Sequence, residues 1–249
     1  MKTLVAFDLD GTLALSKQPL DDDMADLLAR LTQVAMVDVI SGGDWPQFEK
    51  QVVGRMPDHA RLSNLVIQPT TGTKLYRHRD GDWQRVYADL FDPEESAKIK
   101  DALKRAVAQA GYAGEHVWGE QIEDRGSQIT FSALGQQAPL DAKKDWDPDH
   151  AKRETLQALL KSMLPDLAIN IGGTTSIDIT RKGIDKAYGL KRLSETVDVP
   201  LDRMLFLGDA IFPGGNDYPA KTLGLDTVRV RDVDETKAIV TAVIACLHA

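Results

Sequence analysis

Hydrophobic runs alternate with amphipathic stretches at the start of the chain. Two apolar runs typical of buried strands read TLVAF and VAMVDVI. Between them, the segment DDDMADLLARLTQ spaces Met24, Leu27, Leu28 and Leu31 at helical intervals, with acidic residues in its first turn. A second helical pattern, WPQFEKQVVG, follows the second run. The order strand, helix, strand, helix predicts a parallel α/β sheet.

The last seventy residues repeat this alternation. The pattern predicts a helix in DKAYGLKRLSETV, a strand in MLFLG, a short helix in NDYPAKTLG, a strand in DTVRVRD and a final helix in DETKAIVTAVIACL. We expect both ends of the chain to build one sheet. The lone Cys246 falls on the apolar stripe of the final helix, where we expect it to be buried.

The middle of the chain follows a different pattern. SQITFSAL alternates apolar and polar residues, as in an antiparallel strand with one solvated or ligand-facing side. HAKRETLQALLKSML predicts a helix, and LAINIGGTTSIDIT predicts a hairpin that turns at Gly172 and Gly173. We therefore predict an inserted α+β domain over residues 79–180, within a core domain formed by residues 1–78 and 181–249.

Composition narrows the classes of function. The 249 residues carry a net charge of −8, with a pI near 5.1, which argues against a nucleic-acid or anionic-membrane surface. No apolar run reaches the roughly 20 residues of a membrane helix, and the N-terminal run is too short and too soon acidic for a signal peptide. A single cysteine excludes an internal disulfide, so we expect a cytoplasmic protein.

Polar residues follow several predicted strands at the point where each strand ends. Asp8 and Asp10 follow the first strand, Ser41 follows the second, and Asp209 follows MLFLG. Lys186 lies at the start of a predicted helix. Because parallel strands deliver their carboxyl ends to one sheet edge, we expect these groups to converge there.

Gathered carboxylates need a cation to offset their repulsion, and oxygen-only ligands favour Mg²⁺. The five histidines show no metal-ligand spacing, so we expect no histidine-based zinc site; they are His59, His78, His116, His150 and His248.

The motifs DLDGTL, Ser41, KGIDKAYGL and GDAIFPGGND, in this order, resemble those of the haloacid dehalogenase-like (HAD) phosphotransferase superfamily. The insert between the serine and lysine motifs is similar to a C2-type cap, which implies a Rossmann-like parallel-sheet core with an inserted α+β cap. PGGNDY, the sequence around Lys186 and DRGSQITFSALG look most like eukaryotic-type phosphomannomutases.

The resemblance implies a role for each matching residue. Asp8 is the expected nucleophile, which forms an aspartyl-phosphate, and Asp10 is the expected general acid and base. Ser41, Gly42 and Lys186 would hold the phosphoryl group. The ligands of Mg²⁺ would be Asp8, Asp10 through its backbone carbonyl, Asp209, Asn216 and Asp217.

The second phosphate of a mutase substrate would be held by cap arginines in this family. Arg125 matches the first of them, whereas Gln136 and Lys143 stand where the family has arginine, as does Lys17 in the core. Ser176 and Asp178 match positions that touch sugar hydroxyls.

Since Lys and Gln do not reproduce bidentate arginine, we favour a Mg²⁺-dependent phosphatase acting on a small sugar phosphate. The alternative is a phosphomannomutase, and a non-catalytic sugar-phosphate-binding protein is a third reading. The expected partner is a small phosphorylated metabolite, and we expect neither a nucleic acid nor a membrane as a partner. The resemblance to phosphomannomutases is also compatible with a homodimer.

Overall fold

A computed structural model of the chain describes residues 1–113 and 116–247; His248 lies outside them. The strands are β1 (Leu4–Phe7), β2 (Met36–Ile40), β3 (Leu65–Gln68), β4 (Lys74–Arg79), β5 (Asp82–Ala88), β6 (Ile122–Asp124), β7 (Gln128–Ser132), β8 (Leu167–Ile171), β9 (Ser176–Arg181), β10 (Met204–Gly208) and β11 (Asp226–Arg229). The helices are α1 (Asp22–Leu31), α2 (Trp45–Gln51), α3 (Pro69–Gly72), α4 (Pro93–Gln109), α5 (Leu140–Trp146), α6 (Ala151–Met163), α7 (Lys186–Val197), α8 (Tyr218–Thr222) and α9 (Val233–Leu247).

One seven-stranded sheet contains strands from both ends of the chain. Its order is β11-β10-β1-β2-β3-β4-β5, parallel from β11 to β3 and antiparallel for the last two strands. The four residues of β1 are fully buried, as expected when helices cover both faces of a parallel sheet. Phe7 is in register with Leu207 and with Val39, so the residues after β1, β10 and β2 leave the sheet at one edge. The predicted parallel α/β architecture is confirmed.

The chain divides into two units, of which the first combines residues 1–88 with residues 184–249. The predicted first boundary, after residue 78, is therefore ten residues too early. It falls within β4, and β4 and β5 pair with each other and extend the sheet of the first unit. The second boundary lies after residue 183 rather than 180, because β9 continues to Arg181.

The second unit, residues 89–183, contains a four-stranded antiparallel sheet of order β6-β7-β9-β8. One face is apolar: Ile129, Phe131, Ile177 and Ile179 pack with buried residues of α4 and α6. β8 and β9 form the hairpin predicted from the sequence, closed by the Gly172 N–H donating to the Ser176 carbonyl at 2.9 Å. An α+β insert is thus present within the α/β chain.

The final helix α9 buries a narrower stripe than its composition suggests. Thr236, Val240 and Ile244 face inward at four-residue intervals, whereas Cys246 is exposed. The expectation that Cys246 is buried is therefore wrong, since two residues beyond Ile244 correspond to about 200° of helical rotation. None of the helices in the described ranges is long and apolar enough to cross a membrane.

Asp38 is a buried carboxyl group in the middle of β2. Its side chain alternates with those of Val37 and Val39 and therefore shares the sheet face of Ile40, which packs with apolar residues of α7 and β10. It is 0% exposed, and neither carboxyl oxygen has a hydrogen-bond partner in the described structure. Burial raises the pKa of Asp38 well above its usual value and so favours the neutral form of the group, and a buried carboxyl group without a hydrogen-bond partner lowers stability.

We expect Asp38→Val to raise the free energy of unfolding by about 1–3 kcal/mol at neutral pH, because it removes an unpaired buried polar group. Since the folded-state pKa of Asp38 lies above the unfolded value of about 3.9, the contribution of Asp38 to wild-type stability falls as pH rises above about 4. The advantage of the variant should therefore be larger at pH 7 than at pH 4.5. Thermal and urea unfolding of wild type and variant at both pH values measure the difference in free energy of unfolding. An unchanged or lowered stability at pH 7 would show that the carboxyl has a favourable role.

Candidate active site

Three carboxylates converge at the carboxyl edge of the large sheet. Asp8 directly follows β1, Asp209 directly follows β10, and Asp217 precedes α8. One carboxylate oxygen from each lies within 4.8 Å of the other two. Asp8 and Asp217 are buried, whereas Asp209 is partly exposed. The strand register thus brings residues about 200 positions apart into one cluster.

Lys186 is the cation that faces this cluster. Its ammonium group lies 2.5 Å from Asp8 Oδ1 and also contacts Asp217 Oδ1. The Asp185 carboxylate accepts the Tyr188 N–H at 2.9 Å and so caps α7, which makes Lys186 its first residue. Burial opposes the charge on Lys186, but Asp8 and Asp217 outweigh it and raise the lysine pKa.

One ammonium does not balance three carboxylates. Burial raises the pKa of Asp8 to about 6, although Lys186 acts against this shift. Burial and the nearby Asp217 charge also raise the pKa of Asp209. The site therefore has excess negative charge that a further cation would offset, and an all-oxygen donor set suits a hard divalent ion such as Mg²⁺.

Small and polar residues bring the two strand ends close together. Gly11 has φ +90°, and a Cβ at this position would lie 2.7 Å from Asp209 Oδ2. The buried Thr12 hydroxyl accepts the Asp209 N–H at 3.1 Å and lies 3.5 Å from Asp8 Oδ2. Thr12 thus connects the loop after β1 to the loop after β10.

Asp10 has a different environment from Asp8. The Lys17 backbone N–H donates to Asp10 Oδ1 at 2.6 Å, and the Gln47 side-chain amide donates to Asp10 Oδ2 at 3.3 Å. Lys17 has φ +60° and an exposed side chain, so its backbone is the part that contacts Asp10. These two donors fix the orientation of the Asp10 carboxylate.

Ser41 and Gly42 form the loop that follows β2. Ser41 is buried, and its carbonyl accepts the Thr71 N–H at 2.9 Å. In the loop after β10, Asn216 is exposed. Its neighbour Asp217 accepts the Ala210 N–H at 3.0 Å, so the two adjacent residues differ sharply in environment.

In the second unit, the predicted residues Ser176 and Asp178 contact polar side chains of the neighbouring strand β7. On the polar face of the sheet, Thr130 donates to Asp178 at 2.7 Å, and the Ser132 and Ser176 hydroxyls are 3.4 Å apart. Asp178 and Ser176 therefore lie on the same sheet face, two residues apart along β9.

Two of the three predicted second-phosphate ligands of this unit have side chains with partners of their own. Arg125 forms an ion pair with Glu123 at 2.7 Å, and the Lys143 ammonium donates to the Gln136 carbonyl at 3.1 Å. The Gln136 side-chain nitrogen is buried and has no hydrogen-bond partner among the residues that the structure describes. Gln136 and Lys143 are thus neighbours.

The sequence model of a family described as eukaryotic phosphomannomutase matches residues 24–246. The chain belongs to this family. A phosphomannomutase of Encephalitozoon cuniculi is 25% identical over 222 residues, which span 87% of this chain and 83% of that protein.

Two solved structures support the fold of this phosphomannomutase-family chain. The Plasmodium falciparum IMP-nucleotidase superposes with a TM-score of 0.75 at 16% identity and covers 99% of this chain and 69% of its own. An Aspergillus fumigatus trehalose-6-phosphate phosphatase superposes with a TM-score of 0.61 at 16% identity, and the match covers 98% of this chain and 93% of that protein. The predicted HAD-type fold is confirmed.

Sequence reasoning did not identify Thr12, Gln47 or Thr71, which contact the predicted site residues. Thr12 lies within DLDGTL and could have been found from its position beside Asp8 and Asp10. Gln47 carries no local signal, because its contact with Asp10 depends on how α2 packs.

We expect Mg²⁺ to raise the melting temperature of this protein, because binding to the folded carboxylate cluster adds about 2.7 kcal/mol at 100 times the dissociation constant. Asp209→Asn should reduce this shift. Asp234→Asn, a change of equal charge at an exposed position of α9, is the control and should keep it. Differential scanning calorimetry with EDTA and with Mg²⁺ makes the comparison. Equal shifts in wild type and Asp209→Asn would contradict a metal site in this cluster.

Proposed function

We propose that this protein is a Mg²⁺-dependent phosphotransferase that interconverts mannose 1-phosphate and mannose 6-phosphate through an aspartyl-phosphate on Asp8. The observation that carries the proposal is the buried Asp8 carboxylate beside Lys186, within an acidic cluster, in a chain of the phosphomannomutase family. The relatives named phosphomannomutase favour this reaction over the hydrolysis that the sequence alone favoured.

The proposed first step transfers one phosphoryl group from a hexose bisphosphate to the enzyme and releases a hexose monophosphate. An Asp8 oxygen attacks phosphorus, an oxygen–phosphorus bond forms on Asp8, and the bond to the sugar oxygen breaks. Asp10 gives its proton to the departing sugar oxygen and later removes one from the incoming hydroxyl. The donors from Lys17 and Gln47 support this role, because they hold the Asp10 carboxylate in place.

Binding the phosphoryl group depends on charge and on hydrogen-bond donors. We assign Ser41, Gly42 and Lys186 to its oxygens. Mg²⁺ would be held by Asp8, Asp209, the Asp10 carbonyl, Asn216 and Asp217, directly or through water, and when bound it would supply charge neutralisation during phosphoryl transfer.

The second unit would select the substrate. Arg125, Gln136 and Lys143, together with Lys17 of the core, are proposed to contact a second phosphate. Ser176 and Asp178 are proposed to contact sugar hydroxyls, and their position on one polar sheet face supports a shared role.

Hydrolysis of a small sugar phosphate is the second candidate. It is favoured by Gln136, whose amide cannot neutralise a phosphate, and by the partners that Arg125 and Lys143 already have within their unit. In this case water, rather than a sugar hydroxyl, would accept the phosphoryl group from Asp8.

An assay with mannose 1-phosphate, Mg²⁺ and a catalytic amount of a hexose bisphosphate distinguishes the two reactions. We expect mannose 6-phosphate to form, with little release of inorganic phosphate, because the phosphoryl group returns to a sugar. A coupled enzyme assay for mannose 6-phosphate and a colorimetric phosphate assay run in parallel measure both products. Stoichiometric phosphate release without mannose 6-phosphate would replace the mutase proposal with the phosphatase.

Asp8→Asn should lower turnover by at least about 10⁴-fold, because an amide does not form the phosphoenzyme. The exposed Asp234→Asn is again the matched control and should retain wild-type turnover. Mass spectrometry of the acid-quenched reaction should detect one added phosphoryl group on wild type and none on Asp8→Asn. Circular dichroism should show both variants folded. A phosphoenzyme that persists in folded Asp8→Asn would exclude Asp8 as the nucleophile.

A further inference from the structure

The four-residue segment α3, directly after β3, is not a regular helix, because its two consecutive threonines adopt the left-handed backbone conformation. Thr70 has φ 49° and ψ 47°, and Thr71 has φ 57° and ψ 38°. Branched side chains at Cβ disfavour this conformation, which glycine or asparagine adopts more easily. Backbone strain of this kind persists only where the surroundings fix it, and it is concentrated at functional sites.

The surroundings of this turn fix it on both sides. The Thr71 N–H donates to the Ser41 carbonyl at 2.9 Å, and the Thr70 N–H donates to the Gly43 carbonyl at 2.8 Å. On the other side, a Cβ on Gly72 would overlap the backbone of Gly189 in α7. The turn is thus packed between the Ser41 loop and the helix that carries Lys186.

The two threonine hydroxyls have different environments. The buried Thr70 hydroxyl lies 2.5 Å from the Thr73 hydroxyl and is used within the turn. The Thr71 side chain is only partly buried, and its hydroxyl lies 3.9 Å from the position that a Cβ on Gly42 would occupy. The Thr71 hydroxyl makes no hydrogen bond with any residue in the described ranges, so it has a donor to offer beside Gly42.

We propose that Thr71 is a further phosphate-binding residue, whose hydroxyl donates to the phosphoryl group held by Ser41 and Gly42. The proposal rests on the proposed function in one respect, namely that Ser41 and Gly42 hold a substrate phosphate. This role would explain the left-handed backbone of Thr71. It lets Thr71 keep its N–H on the Ser41 carbonyl while its side chain lies beside Gly42.

Binding of inorganic phosphate in the presence of Mg²⁺, measured by isothermal titration calorimetry, tests the proposal without requiring any sugar substrate. Thr71→Gly suits the left-handed backbone but removes the hydroxyl, so we expect about tenfold weaker phosphate binding without a lower melting temperature. Thr71→Val also removes the hydroxyl and should weaken binding similarly. Thr71→Ser keeps the hydroxyl and should bind within about twofold of wild type. Thr70→Gly is the matched control, because it relieves the same kind of strain but should leave phosphate binding unchanged.

Wild-type affinity in Thr71→Gly and Thr71→Val would overturn the proposal, and so would equal weakening in Thr70→Gly, which would indicate a purely structural turn. Absence of phosphate binding by the wild-type protein would also overturn it. If phosphate binding depends on Thr71 but no mannose 6-phosphate is formed, Thr71 keeps its role and only the mutase reaction is excluded.

Discussion

The contact between Lys186 and the two buried carboxylates of Asp8 and Asp217 holds the candidate site together. Without a cation, carboxylates this close would repel one another and take up protons. Lys186 reduces that repulsion but leaves an excess of negative charge, which makes the site attractive to a divalent ion. A buried ion pair of this kind contributes little net stability. Its main effect on Asp8 is to oppose the rise in pKa that burial causes, which favours the ionised carboxylate.

The rest of the core brings these groups within reach of one another. Parallel pairing of β1 with β10 places Asp8, which follows β1, close to Asp209, which follows β10. Gly11 allows the closest approach, and Thr12 links the two loops through its hydroxyl. Each of these contacts crosses almost the entire sequence, so the site can form only after the two ends of the chain have paired in one sheet.

The convergence of the acidic residues could be predicted because parallel strands end at one edge, and β1, β2 and β10 are visible as apolar runs. The first domain boundary was missed because β4 and β5 alternate weakly and contain many charged residues, which are typical of an exposed sheet edge. The Thr70–Thr71 turn could not be predicted, since threonine gives no local signal for a left-handed backbone. That conformation is fixed by tertiary contacts, namely the hydrogen bonds to Ser41 and Gly43 and the packing of Gly72 against Gly189.

Both candidate reactions would begin with transfer of a phosphoryl group to Asp8. They differ in whether the second unit can hold a second phosphate of the substrate. The pair between Arg125 and Glu123 does not exclude a phosphate clamp, because a partly exposed ion pair is worth only about 0–1 kcal/mol and a phosphate dianion would compete well for the guanidinium. The Lys143 ammonium donates to the Gln136 carbonyl, a neutral acceptor that a phosphate dianion would displace. Gln136 is different, because an amide offers a donor but no charge. For the proposed mutase reaction, Arg125 and Lys143 would have to supply the charge that Gln136 lacks.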